Sequence, residues 1–323
     1  MERKYNIDLL RIISAVAVII IHIVSAPITN SSTEIAPTLT NNLNLIHTLM
    51  NWSVPVFFMI TGFCLQRKSE VTYRYCFSRI LKYVCVLFTV GLSYALLEEI
   101  FTAKTINVTV FVNSVSNVIT GNLWDHMWYI YSLIGIYLVM PVIHLFLKQD
   151  KKSVIVLTAL LFVFNILLPT FEEFVSFGVS IPFGGYLFYV CFGGIVSQIN
   201  TDKISPFIYI FGFLSVVWII IGSKNYEFGY KHLAVCAVAM SIFLITQRIN
   251  VKPSSLLLCI SKCTFGIYLI HPFFINLAIK LLGIDFVSSY AYAKLLAFAV
   301  IVSIVSFLTT YILRKIPLIK KLF

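Results

Sequence analysis

Charge is scarce in this chain: 11% of its 323 residues are Asp, Glu, Lys or Arg, against 59% hydrophobic residues, where a soluble globular domain carries about 25% charged residues. That deficit excludes a water-soluble enzyme. No polar interval is long enough to fold separately and no internal repeat is visible, so residues 1–323 read as a single integral-membrane domain. There is no Gly-rich phosphate loop, no His-Glu-x-x-His and no Gly-x-Ser-x-Gly elbow, and no metal is expected. The seven cysteines are odd in number. Cys64, Cys76, Cys85, Cys191, Cys236, Cys259 and Cys263 fall nearly all in apolar segments without metal-ligand spacing, which argues against a disulfide framework and for small buried hydrophobes. The first apolar segment carries Asp8, Arg11 and His22 and has no small-residue cleavage site, so it does not resemble a removable signal peptide.

What the chain has instead is apolar runs. A membrane-spanning helix needs about 20 mostly apolar residues, and ten segments qualify: Asn6 to Ala26, Trp52 to Leu65, Tyr75 to Leu97, Met127 to Leu147, Ser153 to Thr170, Ile181 to Ile199, Pro206 to Gly222, His232 to Thr246, Ser255 to Leu282 and Ala291 to Leu313. The second and eighth are short and require flanking residues or shielding by neighbours. The expected fold is therefore all-α, a polytopic bundle of about ten transmembrane helices. Two connections, Ile28 to Asn51 and Phe101 to Asp125, are long enough to fold over one face.

The formal charge of +11 follows from topology rather than from nucleic acid. Ten spans place Arg3, Lys4, Arg67, Lys68, Arg74, Arg79, Lys82, Lys148, Lys151, Lys152, Lys203, Arg248, Lys252, Arg314, Lys315, Lys320 and Lys321 on the side of the N-terminus. The other side receives Lys104, Lys224, Lys231, Lys280 and Lys294 with Glu98, Glu99, Glu172 and Glu173. The positive-inside rule then puts both termini in the cytoplasm.

An ionisable group inside a bilayer costs at least about 2.5–3.5 kcal/mol at a helix centre. Arg11 and His22 are eleven positions apart, close to three helical turns, so they share a face roughly 16 Å apart along the axis. Asp8 and Ser14, at i−3 and i+3, lie on the same face, and Asp8 is placed to orient the guanidinium. Taken singly, Arg11 reads as a snorkelling anchor and His22 as a hydrogen-bonded core histidine. Together they make a cation below a titratable imidazole, which suits a site that binds an anionic or polarised group and moves a proton. Arg79 and Lys82 share a helix face near the cytoplasmic end, where with Arg74 they can receive phosphates. His126 and His271, towards the outer helix ends with Trp128 and Tyr268, read equally as an acceptor vestibule or as an interfacial aromatic belt.

Five motifs, in order, resemble the acyltransferase family 3 of bacterial membrane proteins. Ile7-Asp8-Leu9-Leu10-Arg11 followed by His22 is similar to its first-helix signature, and Val54 to Phe63 to its second-helix motif, where Ser commonly replaces Thr61. Arg79-Ile80-Leu81-Lys82 resembles its basic Arg-x-x-Arg pair, with Lys82 in place of the second Arg. His126-Met127-Trp128-Tyr129 with Tyr137 to Pro141, and Phe265 to Pro272, resemble its fourth-helix and late-helix patterns. The resemblance implies acyl transfer, with acetyl-CoA as co-substrate, to a hydroxyl of an envelope polysaccharide or lipid-linked sugar, in the bacterial cytoplasmic membrane. By this resemblance His22 and Arg11 match the catalytic positions and Arg79 with Lys82 the basic pair implicated in function; beside it, helix spacing adds Asp8 to the catalytic stripe as the group that fixes the Arg11 rotamer, and position adds Arg74 to the donor-binding cations. Whether His22 acts as a base or carries the acyl group stays open, as do succinyl as cargo, a homo-oligomer, and a transporter in which Arg11 and His22 line a path.

Overall fold

A computed structural model describes residues 3–30, 35–172, 185–201, 204, 206–282, 290–317 and 319–322. Lys203 and Glu173, together with 181–184 of the sixth expected span, lie outside the described residues, as does the side chain of Glu172. Among the described residues the fold is entirely helical: α1 (Tyr5–Asn30), α2 (Pro37–Met50), α3 (Ser53–Gln66), α4 (Tyr73–Val86), α5 (Leu92–Ala103), α6 (Val108–Thr120), α7 (Trp128–Phe146), α8 (Lys151–Phe162), α9 (Leu168–Glu172), α10 (Leu187–Val196), α11 (Phe207–Gly222), α12 (Leu233–Arg248), α13 (Ser255–Asn276) and α14 (Ala291–Leu313). π-helical turns join α4 to α5 and α8 to α9, and a third extends α13 through Leu281.

Among the described residues seven helical stretches are long and apolar enough to cross a membrane: Tyr5–Ile28, Pro37–Gln66, Tyr73–Ala103, Val108–Phe146, Lys151–Phe171, Ser255–Leu281 and Ala291–Leu313. The other three expected spans are the shorter apolar helices α10, α11 and α12. Helix α10 survives its shortness because it is sealed against protein. Its Gly193 and the Gly62 of α3 let the two backbones touch: a Cβ on Gly62 would stand 1.9 Å from the Val190 carbonyl oxygen, and one on Gly193 1.9 Å from that of Met59. Glycines permit such close approach between helices where lipid supplies no hydrophobic drive. Helix α11 is the opposite case, its Phe207, Phe213 and Ile221 turned outward as a lipid-facing surface requires.

The two long connections are themselves helical. Pro37, whose fixed φ suits a first helical turn, opens α2, which packs against α1, and α2 runs through a short turn at Asn51 almost directly into α3. In the second, Asn107 caps α6 by accepting from the Val110 amide at 2.9 Å, Gly121 closes it at φ +80°, and α6 lies along α5. Helix α1 sits at the centre of the bundle, against α2, α3, α12, α13 and α14.

Candidate active site

The i−3 spacing brings Asp8 to Arg11, Oδ1 to Nη1 at 3.3 Å. Asp8 has further partners that sequence does not announce. Its side chain, 2% exposed, accepts from Arg3 through both oxygens at 2.6 and 2.9 Å and from Ser261 Oγ of α13 at 2.6 Å. A buried carboxylate holds its charge only when paired and hydrogen-bonded, and here two guanidiniums and a hydroxyl serve it. Arg11 is thereby pinned between Asp8 and α3, where its Nη2 donates to Cys64 Sγ at 3.0 Å. Asp8→Ala leaves both part-exposed arginines without their carboxylate and is expected to cost about 2 kcal/mol of stability, the scale of hydrogen bonds to a charged group, read as a lower melting temperature of the detergent-solubilised protein.

From Arg11 a cavity of about 320 Å³ runs up the α1 face to His22. Lys68, Tyr75 and Arg79 line it near Arg11, and Phe57, Tyr83, Trp128, Tyr129, Tyr137, Tyr230, Phe265 and Tyr268 give it an aromatic wall that the Thr61 hydroxyl interrupts. Lys68 Nζ and Arg79 Cζ both lie over the Tyr75 ring, at 4.7 and 5.3 Å, so a cation–π contact aligns two positive groups at one mouth.

Beyond His22 lies a second cavity of about 290 Å³, lined by Ser25, Glu98, Trp124, Asp125, Asn276 and Lys280 among others. His22 and His126 belong to both cavities. With His271 they form a cluster of three imidazoles, ring centroids 5.1 Å (His22 to His271), 5.8 Å (His126 to His271) and 6.1 Å (His22 to His126) apart. His271 Nδ1 lies 3.1 Å from the Ile267 carbonyl oxygen. Since a carbonyl only accepts, that nitrogen carries the proton, and in the neutral ring Nε2, which has no hydrogen-bond partner among the described residues, presents a lone pair. Tyr268 Oη donates to the His126 carbonyl oxygen, tying α13 to the turn before α7. The arrangement can hold an elongated ligand on a run of cations and aromatics and pass a proton at its inner end.

The structure brings Arg11, His22, Arg79 and His126 into the lining of one cavity, of which only the shared face of Arg11 and His22 follows from spacing, and lines that cavity with Lys68 and Cys64 as well. Other expected site residues are placed differently. Arg74 and Lys82, unlike Lys68, are not among the residues that line the first cavity, although Lys82 Nζ lies over the ring of its lining residue Phe265 at 5.1 Å. Trp128 and Tyr268 line the first cavity, not an outer vestibule, with Trp128 stacked on Tyr186 at 5.2 Å. The second cavity is served by Trp124 instead, one turn earlier in the chain. His271 is fully buried behind both cavities. Cys85 is exposed and Cys64 and Cys259 partly so, which corrects the buried reading for those three. His144 and His232 are buried interhelical residues, His144 against Gln66 at 2.9 Å and His232 capping α12. Among the described residues no cluster of His, Cys, Asp or Glu could hold a metal ion.

Fold and site together define a multi-pass helical membrane protein with a continuous basic and imidazole-bearing face at its centre. A family model described as an acyltransferase domain, that of acyltransferase family 3, matches residues 4–315, and the chain belongs to that family. It is therefore a membrane acyltransferase. No curated protein and no solved structure matches it.

Proposed function

We propose that this protein moves an acetyl group from cytosolic acetyl-CoA to a hydroxyl of a cell-envelope polysaccharide or its lipid-linked precursor, working in the bacterial cytoplasmic membrane with both termini inside. The observation that carries this reading is the convergence of two cavities on the His22 and His126 imidazoles from opposite directions along α1. A reaction between a phosphorylated cytosolic donor and an envelope acceptor needs two approaches and one shared reacting point.

The first cavity supports the donor role. Arg11, Lys68 and Arg79 offer charge-assisted hydrogen bonds to phosphates, and its length suits a flexible thioester arm reaching His22. Transfer breaks the thioester C–S bond and forms a C–O ester. The imidazole takes the acceptor's hydroxyl proton and returns it to the departing thiolate; by the other route His22 first takes the acyl group and the hydroxyl then displaces it. Succinyl or another acyl group would follow the same course.

The test compares envelope glycans, by mass spectrometry, from cells with and without the gene. An acetyl mass difference is expected; identical spectra refute the reading. In purified protein, Arg79→Ala is expected to raise the acetyl-CoA KM by about tenfold, the loss of one charge-assisted contact, with kcat at saturation little changed. An unaltered KM would make Arg79 an orientation charge alone.

A further inference from the structure

The second cavity is assembled from distant segments. Glu98 comes from α5, Trp124 and Asp125 from the turn before α7, Asn276 from the end of α13 and Lys280 from its π-helical extension. Its polar groups are organised rather than scattered. Glu98 accepts from Lys280 Nζ at 3.0 Å through each oxygen and from Trp124 Nε1 at 3.1 Å. The Trp124 indole is stacked on Tyr94, centroids 4.2 Å apart and planes 13° from parallel. Ring behind and hydrogen bond beside hold the indole in one pose, with the side that lines the cavity left for a ligand. Asn276 Nδ2 donates to the Pro272 carbonyl oxygen at 3.0 Å, which leaves its amide oxygen as an acceptor.

The ligand class follows from this inventory. Two carboxylates face one ammonium, and that ammonium is already committed to Glu98. Fixed charge here repels phosphates and carboxylates, whereas the first cavity attracts them. A rigid aromatic surface bordered by carboxylate and amide acceptors matches a ring that presents C–H groups on its face and O–H groups at its rim. Because His22 lines this cavity too, a hydroxyl bound at its inner end meets the imidazole.

We propose that this cavity is the acceptor subsite and that it takes a neutral sugar ring, bearing neither phosphate nor carboxylate, against Trp124, with its hydroxyls donating to Asp125 and Asn276. The proposal rests on the acyltransferase reading above and deepens it.

Full-length Trp124→Ala, Trp124→Phe and Asp125→Asn proteins, each expressed in cells lacking the gene, test it by two readouts: the acyl content of envelope glycans, with tandem mass spectrometry to locate the acylated residue, and binding of radiolabelled acetyl-CoA to nanodisc-embedded protein. Trp124→Ala and Asp125→Asn are expected to lower acyl content at least about tenfold, the worth of a lost ligand contact, with acetyl-CoA affinity unchanged. Trp124→Phe keeps an aromatic ring and loses the Nε1–H, and should fall between. If Trp124→Ala does not fold, the other two variants decide. Full acylation by the variants, or acylation confined to uronic or phosphorylated sugars, overturns the proposal. A parallel loss of acetyl-CoA affinity overturns it too, because the cavity would then serve the donor. Unaltered protein that binds no acetyl-CoA and acylates nothing fails the acyltransferase reading itself, a pattern distinct from variants that bind donor and do not transfer.

Discussion

His22→Ala is expected to abolish acyl transfer, with activity falling by about 10²–10⁴-fold, the contribution of a positioned acid–base group. The protein should remain folded and extractable. His22 is only partly buried, because two cavities meet at it, so removing the ring enlarges open space instead of hollowing a packed core. Its ring neighbours His126 and His271 stand 6.1 and 5.1 Å away by centroid, too far to take over its position without moving their helices. Assay of acetyl transfer in membranes, paired with size-exclusion of the solubilised variant, checks both halves. Full activity in a folded His22→Ala protein would move the chemistry elsewhere in the cluster.

Gly62→Val should give the largest loss of stability. A Cβ on Gly62 meets the Val190 carbonyl oxygen at 1.9 Å, with the Val190 carbon and Cα at 2.7 and 2.9 Å. These are backbone atoms and cannot rotate away, so α3 and α10 must separate. Overpacking typically costs about 1–3 kcal/mol and more when backbone must move; failure to accumulate as a monodisperse solubilised protein is the expected result. Gly135→Ala is the control. Nothing lies within 4 Å of a Cβ there, and replacing a mid-helix glycine by alanine stabilises by about 0.5–1 kcal/mol. A Gly62→Val protein as stable as the unaltered one would mean that the α3–α10 contact is looser than described.

The α1 stripe was legible in the sequence because it needs only helical periodicity. Asp8, Arg11 and His22 share a face whatever surrounds them, and the Asp8–Arg11 pair follows from a three-residue spacing. Ser261, 253 residues from Asp8, is invisible to any such argument, although it makes the hydrogen bond that joins Asp8 to α13. The same limit explains Trp124 and Trp128. Both stand beside His126 in the sequence, and only the turn between α6 and α7 decides that Trp124 faces the second cavity and Trp128 the first. Lys68 reads as one more cytoplasmic charge until its position over Tyr75 is known.

Composition and periodicity by themselves determined that this chain folds as helices in a membrane, with Arg11 and His22 on one central face. They act locally and need no partner: an apolar run of sufficient length must satisfy its own backbone in lipid, and 3.6 residues per turn assigns the faces. The tertiary structure alone decided that the face is walled into two cavities, that both end at His22 and His126, and that one is cationic and aromatic while the other bears carboxylates. Those properties belong to side chains brought from helices far apart in the chain, set by which helices pack together and how each is rotated, and no single segment carries that information.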